Sequence, residues 1–148
     1  MREAYYQWID SHYPGETDPD IIDPSADPDG DQLKNIMEYA FGLDPTAPDL
    51  RPLEVIDNIT FATGLPIPTF DTPNQLPSRI LFIQRSDGAV TYTLQSSHAL
   101  ETWEDHTISP EYVSSDGGPH AVVEVPYPSS NHPDQKANFY RIGVTLAE

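Results

Sequence analysis

Sixteen of the 148 residues are proline. Each proline holds φ near −65° and has no amide N–H, so it ends helices and is kept out of the middle of sheets. At about twice the usual share of proline, the chain is cut into short elements joined by fixed turns, with little room for long helices. What it folds into then depends on the periodicity of the pieces between the prolines.

That periodicity changes near residue 50. Residues 2–13, "REAYYQWIDSHY", lack Pro and Gly, and Tyr5, Trp8, Ile9 and His12 fall on one side at helical spacing. A short amphipathic helix is expected there, stopped by Pro14 and Gly15. Residues 14–31 read as loop, with Ile21 and Ile22 as anchors. Leu33, Ile36, Met37 and Ala40 form a second helical stripe, so a helix is expected from about Gln32 to Phe41, ended by Gly42. Residues 44–52 read as a linker.

Beyond it the period becomes two. "RILFIQRSDGAVTYTLQSS" is the strongest hairpin signal, two β-rich runs around Asp87-Gly88. The runs "EYVSSDGG", "HAVVEVPYP" and "NFYRIGVTL" follow, with a Pro-rich crossing at 66–77 and a polar loop at 129–138. Six or so short strands with frequent turns predict an antiparallel β-sandwich. The expected fold is mainly β with a small α part: residues 1–50 as a helical segment and 51–148 as the sandwich domain. At this length a chain buries roughly two-thirds of its unfolded surface, enough for a core.

The net charge is −17. Residues 1–50 hold twelve acids against Arg2 and Lys34, and the remainder holds twelve against five bases. Such a field repels nucleic acid and anionic lipid and attracts divalent cations. There is no cysteine, which excludes disulfides, thiolate metal sites and a cysteine nucleophile. No apolar run is long enough to insert in a membrane, and no signal-like segment follows Met1.

The acids are most ordered in "DPDGDQLKNIMEYAFGLDP", residues 27–45. Counted from Asp27, carboxylates occupy positions 1, 3 and 5 (Asp27, Asp29, Asp31), and Glu38 stands at position 12. Leu33 at position 7 offers a backbone carbonyl, and Asn35 stands at position 9, which often reaches an ion through water. This is the oxygen inventory of an EF-hand-type Ca²⁺ loop. Ca²⁺ is a hard, large cation that takes six to eight oxygens, and a loop whose alternate residues turn inward supplies them. Mg²⁺ fits less well, because it retains waters. Position 6, usually glycine, is Gln32, and Gly30 falls at position 4 instead. Asp31 also qualifies as the helix N-cap without any metal. Asp18, Asp20, Asp23 and Asp44 are candidates for a wider shell or a second ion, or else are turn residues.

These residues resemble the bacterial thrombospondin type 3-like calcium motif, an Asp-x-Asp-Gly-Asp-Gly loop, a short helix with Asn and Glu-Tyr, then Gly-x-Asp-Pro. Asp27, Asp29, Asp31, Asn35, Glu38 and Asp44 match it, and Gln32 departs from it at the second glycine. With Trp8 upstream, and "YTLQSSHALETW" and "NFYRIGV" downstream, the chain is similar to C-terminal modules of large secreted proteins of Verrucomicrobia and related bacteria. The resemblance implies an extracellular or cell-surface, non-catalytic appendage in which a calcium-bound helical segment precedes a small β domain. Ca²⁺ sites of micromolar to millimolar affinity serve mainly outside cells, which favours the same compartment.

No catalytic pattern competes with this reading. His12, His98, His106, His120 and His132 lack paired metal spacing, and neither a G-x-S-x-G elbow nor a phosphate loop is present. Ser96, Ser97 and His98 are consecutive in a strand and point to opposite faces. Two other functions stay open. Trp8, Trp103, Tyr92, Tyr112, Tyr127 and Tyr140 are candidates for a polysaccharide platform, or for core packing. Calcium-dependent assembly with neighbouring subunits into a surface layer or filament is the second.

Overall fold

The computed structural model describes residues 2–57, 59–69, 79–97, 100–115, 117–127 and 139–147. The molecule is mainly β, and every described helix precedes the first strand. Helix α1 spans Arg2–His12, α2 is a single turn at Pro19–Ile22, and α3 spans Asn35–Phe41. Strands β1 (Glu54–Val55) and β2 (Phe61–Ala62) form a small hairpin. The sandwich is built from β3 (Ile67–Thr69), β4 (Arg79–Arg85), β5 (Val90–Ser97), β6 (Glu104–His106), β7 (Glu111–Ser115), β8 (His120–Pro126) and β9 (Phe139–Leu146). One sheet has the order β3-β4-β8-β7 and the other β6-β5-β9, all antiparallel. The expected Pro-rich crossing is a strand at its start. Pro68 sits on the edge strand β3, opposite Ile80, where a missing N–H is tolerated. Residues 70–77 of that crossing, and the polar loop expected at 129–138, lie outside the described residues.

The expected hairpin at Asp87-Gly88 is not one. β4 pairs with β3 and β8, while β5 pairs with β6 and β9, so the turn carries the chain from one sheet to the other. The residues explain it. Ile80–Ile83 is a continuous apolar run, buried at every position, which is the pattern of a strand covered on both faces. At the turn Asp87 Oδ1 accepts the Ala89 amide at 3.0 Å, and Ser86 N–H donates to Pro119 O rather than to β5. What returns from β5 to β4 is a side chain. The Tyr92 hydroxyl accepts the Arg85 amide at 3.0 Å and donates to Ala40 O at 3.1 Å. One phenol thus ties both sheets to α3.

Helix α3 packs against one strand of each sheet, β4 and β9. Phe41 is fully buried and faces Tyr92, whose ring also meets Phe82. Helix α1 lies on α3 through Tyr5 and Trp8, whose rings stand 5.4 and 5.1 Å from Tyr39, with Ile9 buried beside them. The apolar stripe read from the sequence is therefore the buried one. A single core runs from Tyr5 and Ile9 through Tyr39 and Phe41 to Phe82, Leu94 and Val122.

Two local differences from the sequence reading bear on the site. Residues 18–22, expected as loop, hold α2, which has Asp18 as N-cap and Pro19 in its first turn. Helix α3 starts at Asn35 rather than Gln32, because the backbone at Gln32 is left-handed (φ 78°) and no helix passes through that conformation.

Candidate metal centre

The loop between α2 and α3 is organised by its own acids. Asp27 accepts the Gly30 amide on Oδ1 at 2.9 Å and the Gln32 amide on Oδ2 at 3.0 Å. Asp29 Oδ1 accepts the Asp31 amide, and Asp31 Oδ1 accepts the Leu33 amide. Gly30 and Gln32 are both left-handed, at φ 77° and 78°. Two such turns spaced by one residue curl the chain so that carboxylate oxygens of Asp27, Asp29 and Asp31 lie within 4.8 Å of one another.

Asp31 does not cap α3. Its second oxygen accepts the amide of Asp49 at 3.0 Å, which draws the 44–52 segment back onto the loop. Lys34 occupies the N-cap without a side-chain hydrogen bond. The free amides of the first turn are met by backbone instead: Asn35 N–H donates to Ala26 O at 2.8 Å, and Ile36 N–H to Pro24 O at 3.0 Å. The acids bond amides of the loop and of Asp49 rather than capping the helix.

Glu38, on α3, is near enough for the charges of Asp27, Asp29 and Asp31 to act on its carboxyl, but the structure does not bring its oxygens into the 4.8 Å grouping of those three. It is fully buried, and among the described residues neither carboxylate oxygen has a hydrogen-bond donor; Asp29 Oδ2 is buried and without a partner among them as well. Burial first, then the charges of Asp29, Asp31, Asp27 and Asp44, pushes the Glu38 carboxyl from 4.5 up to about 8. Burial and the neighbouring Asp27 carboxyl likewise raise Asp29, against the lowering effect of the Asp31 amide. Tyr13, at the end of α1, closes the other side: its hydroxyl donates to Pro45 O at 2.6 Å, and Asp29 and Glu38 both oppose its ionisation after burial does.

The remaining candidates have different positions. Asn35 is fully buried, and its amide nitrogen donates to Ile21 O at 2.7 Å and Asp23 O at 3.0 Å, which leaves only Oδ1 without a partner. Leu33 is half-buried just before α3. Asp44 folds onto its own turn, accepting from the amide and hydroxyl of Thr46, which hold its carboxyl below the ordinary range. Asp18 accepts the Asp20 amide, and Asp23 accepts from Ser25. Among the described residues, Asp27, Asp29 and Asp31 are the one cluster of this kind, so Asp18, Asp20, Asp23 and Asp44 do not assemble a second.

Sequence spacing did not reveal the roles of Tyr13, of the Asp49 amide or of the loop carbonyls that cap α3. None carries a motif; each depends on how the chain returns to the loop. The same holds for Ser96 and His106, which share a 2.7 Å hydrogen bond between β5 and β6. Among the described residues no carboxylate bonds to the other nitrogen of His106.

No family model, no curated protein and no solved structure matches this chain.

Proposed function

We propose that the protein is a non-catalytic, extracellular calcium-binding module, in which Ca²⁺ joins the acidic N-terminal segment to the sandwich and holds α3 in place. The supporting observation is Glu38. A fully buried Glu38 with both oxygens undonated among the described residues, in the field of Asp29, Asp31 and Asp27, is costly as a carboxylate: it must either keep its proton or have a cation to neutralise it, and a cation would serve the aspartates as well. The charges of Asp29, Asp31, Asp27 and Asp44 act on Glu38 with the same sign. Asp27, Asp29, Asp31 and Glu38 would supply the carboxylate oxygens, Leu33 a backbone carbonyl, and Asn35 a contact through water. The donor set is all oxygen, which suits a hard divalent ion, and its number favours Ca²⁺ over Mg²⁺. Because the unfolded chain has no preformed site, the binding free energy adds to folding stability.

Thermal unfolding with Ca²⁺ and with EGTA tests this. Calcium is expected to raise the melting temperature, and Asp29→Asn to abolish the difference. Overlapping wild-type curves would sink the proposal. Magnesium at equal concentration is expected to give a smaller rise. The aromatic-platform alternative gains no support from the described residues. Tyr92 is buried, Trp8 packs on Tyr39, the Tyr127 and Tyr140 rings meet at a tilt with centres 4.4 Å apart, and Tyr112 is the exposed one of the six candidates named.

A further inference from the structure

The acidity of the chain makes its unpaired cations informative. Side chains of five cationic residues, Lys34, Arg51, Arg79, Arg85 and Arg141, fall within the described set. Arg51 pairs with Asp49, Arg79 with Glu124 and Glu111, and Arg85 with Asp87. Lys34 and Arg141 have no carboxylate partner among the described residues. They come from distant parts of the sequence, yet both line one groove of about 520 Å³ between the exit of the acidic loop and the outer face of the β6-β5-β9 sheet.

The groove is built to hold polar groups in fixed positions. Gln95 lies across its floor, donating to Asp105 Oδ1 at 2.6 Å and accepting from Arg141 Nε at 2.7 Å. A side chain on Gly143, opposite Thr93 in the ladder, would come within 3.2 Å of the Gln95 amide oxygen, so its absence leaves the floor open. The Arg141 guanidinium stacks on Trp103 with its carbon 3.9 Å from the ring centre. Held by Trp103 on one face and Gln95 at Nε, it has two terminal nitrogens that lack a partner among the described residues and can meet an incoming acceptor. A second hollow of similar volume shares Lys34, Met37, Val144 and Thr145 with the first, so the depression continues along β9.

We infer that this trough binds a short saccharide bearing a carboxylate, a uronate-type oligosaccharide, with Arg141 and Lys34 taking the carboxylate and Thr93, Gln95 and Asp105 the ring hydroxyls. The lining decides the class. Its hydroxyl, amide and carboxylate side chains match a ligand rich in hydroxyls, and the apolar Leu33, Met37 and Val144 among them suit the C–H faces of sugar rings. A neutral sugar would rely on an open aromatic face, and the Trp103 face toward Arg141 is already covered. A long polyanion would meet the −17 net charge of the protein; a short ligand engages mainly the two local cations, since charges beyond roughly 8 Å are screened at physiological salt. Lys34 belongs to the acidic loop, whereas Arg141, Thr93, Gln95 and Asp105 are on β5, β6 and β9, so the calcium-loaded protein is the form to test.

The test is a titration of the full chain, holding stoichiometric calcium, with tri-glucuronate, followed by ¹⁵N amide shifts. Shifts are expected at Thr93, Gln95, Arg141 and Gly143. Arg141→Gln is expected to weaken binding about tenfold or more, as for loss of a charge-assisted contact. Lys34→Gln, at an exposed side chain with no partner of its own, is expected to weaken it several-fold with an unchanged melting temperature. Maltotriose is expected to leave the spectrum unchanged. The inference is overturned if those amides do not move with tri-glucuronate, if both variants bind as the wild type does, or if maltotriose or a tri-glutamate peptide binds as well. Failure of the EGTA experiment with success here would discard the calcium proposal alone.

Discussion

Gln32 is where the residue scale is most instructive. Its spacing marks it as the departure from an EF-hand loop, and the backbone there is nonetheless left-handed, as a glycine would be. A β-carbon in that conformation costs about 1–2 kcal/mol, while glycine gives back roughly 0.5–1 kcal/mol through a freer unfolded chain. Gln32→Gly should therefore stabilise the protein slightly, raising the melting temperature by about 2 °C for a chain of this size. A fall in melting temperature would mean that the Gln32 side chain has a stabilising role. Glu38 makes a sharper prediction. In the metal-free folded protein it keeps its proton up to about 8, whereas the unfolded chain releases it near 4.5. Between those values the folded state binds more protons, so the contribution of Glu38 to stability declines as pH rises across that window. Glu38→Gln removes the ionisation. In EGTA at pH 8 this variant should melt above the wild type, and with calcium below it; denaturation at pH 5 and pH 8, with and without calcium, checks both signs. The carboxylates themselves were legible in the sequence because their spacing is local. That Glu38 is fully buried and Asn35 committed to Ile21 and Asp23 was not, since both depend on how α1 and α2 close over the loop.

At the scale of elements, the legible features were those with periodicity of their own. The faces of α1 and α3 and the β runs from Arg79 onward follow from apolar spacing. The pairing of β4 with β8 rather than β5 does not, because Asp-Gly favours a tight turn without specifying which sheet the next strand joins. The end of α3 was readable as well. Gly42 is left-handed at φ 70°, and its carbonyl accepts from Thr63 Oγ1 and from Arg51, both at 2.9 Å. A β-carbon there would stand 2.8 Å from Thr63 Cβ. Gly42→Ala combines a left-handed penalty with that overlap and should destabilise by about 2 kcal/mol or more, measured as a lower midpoint in urea without loss of the calcium response. A midpoint shift under about 0.5 kcal/mol would show that the 51–65 segment yields easily.

The whole molecule is a sandwich whose core extends without a break into its acidic segment. Composition foretold the charge but not where it would matter. Most of the acids are exposed and scattered, and ordinary salt screens them. Glu38 is buried behind the half-exposed Asp29 and Asp31, so salt screens their effect on it less than it screens the surface acids. Sodium chloride should raise the melting temperature of the EGTA-treated protein modestly and gradually, while micromolar to millimolar calcium should exceed the effect of 0.5 M salt, given as about the upper end of useful screening. Equal effects would reduce the loop to one more part of a repulsive surface. The arrangement of α3 has a consequence for the order in which the fold opens. Its first amides, at Asn35 and Ile36, are bonded to carbonyls of Ala26 and Pro24, outside the helix, whereas the Leu43 amide at its far end bonds to Glu38 within it. Hydrogen exchange at Asn35 and Ile36 therefore times the unlatching of the acidic loop, and exchange at Leu43 times the departure of the helix from the sandwich. Where the loop leaves first, the first pair exchanges fast while Leu43 stays slow; where loop and sandwich open as one unit, all three share a single rate.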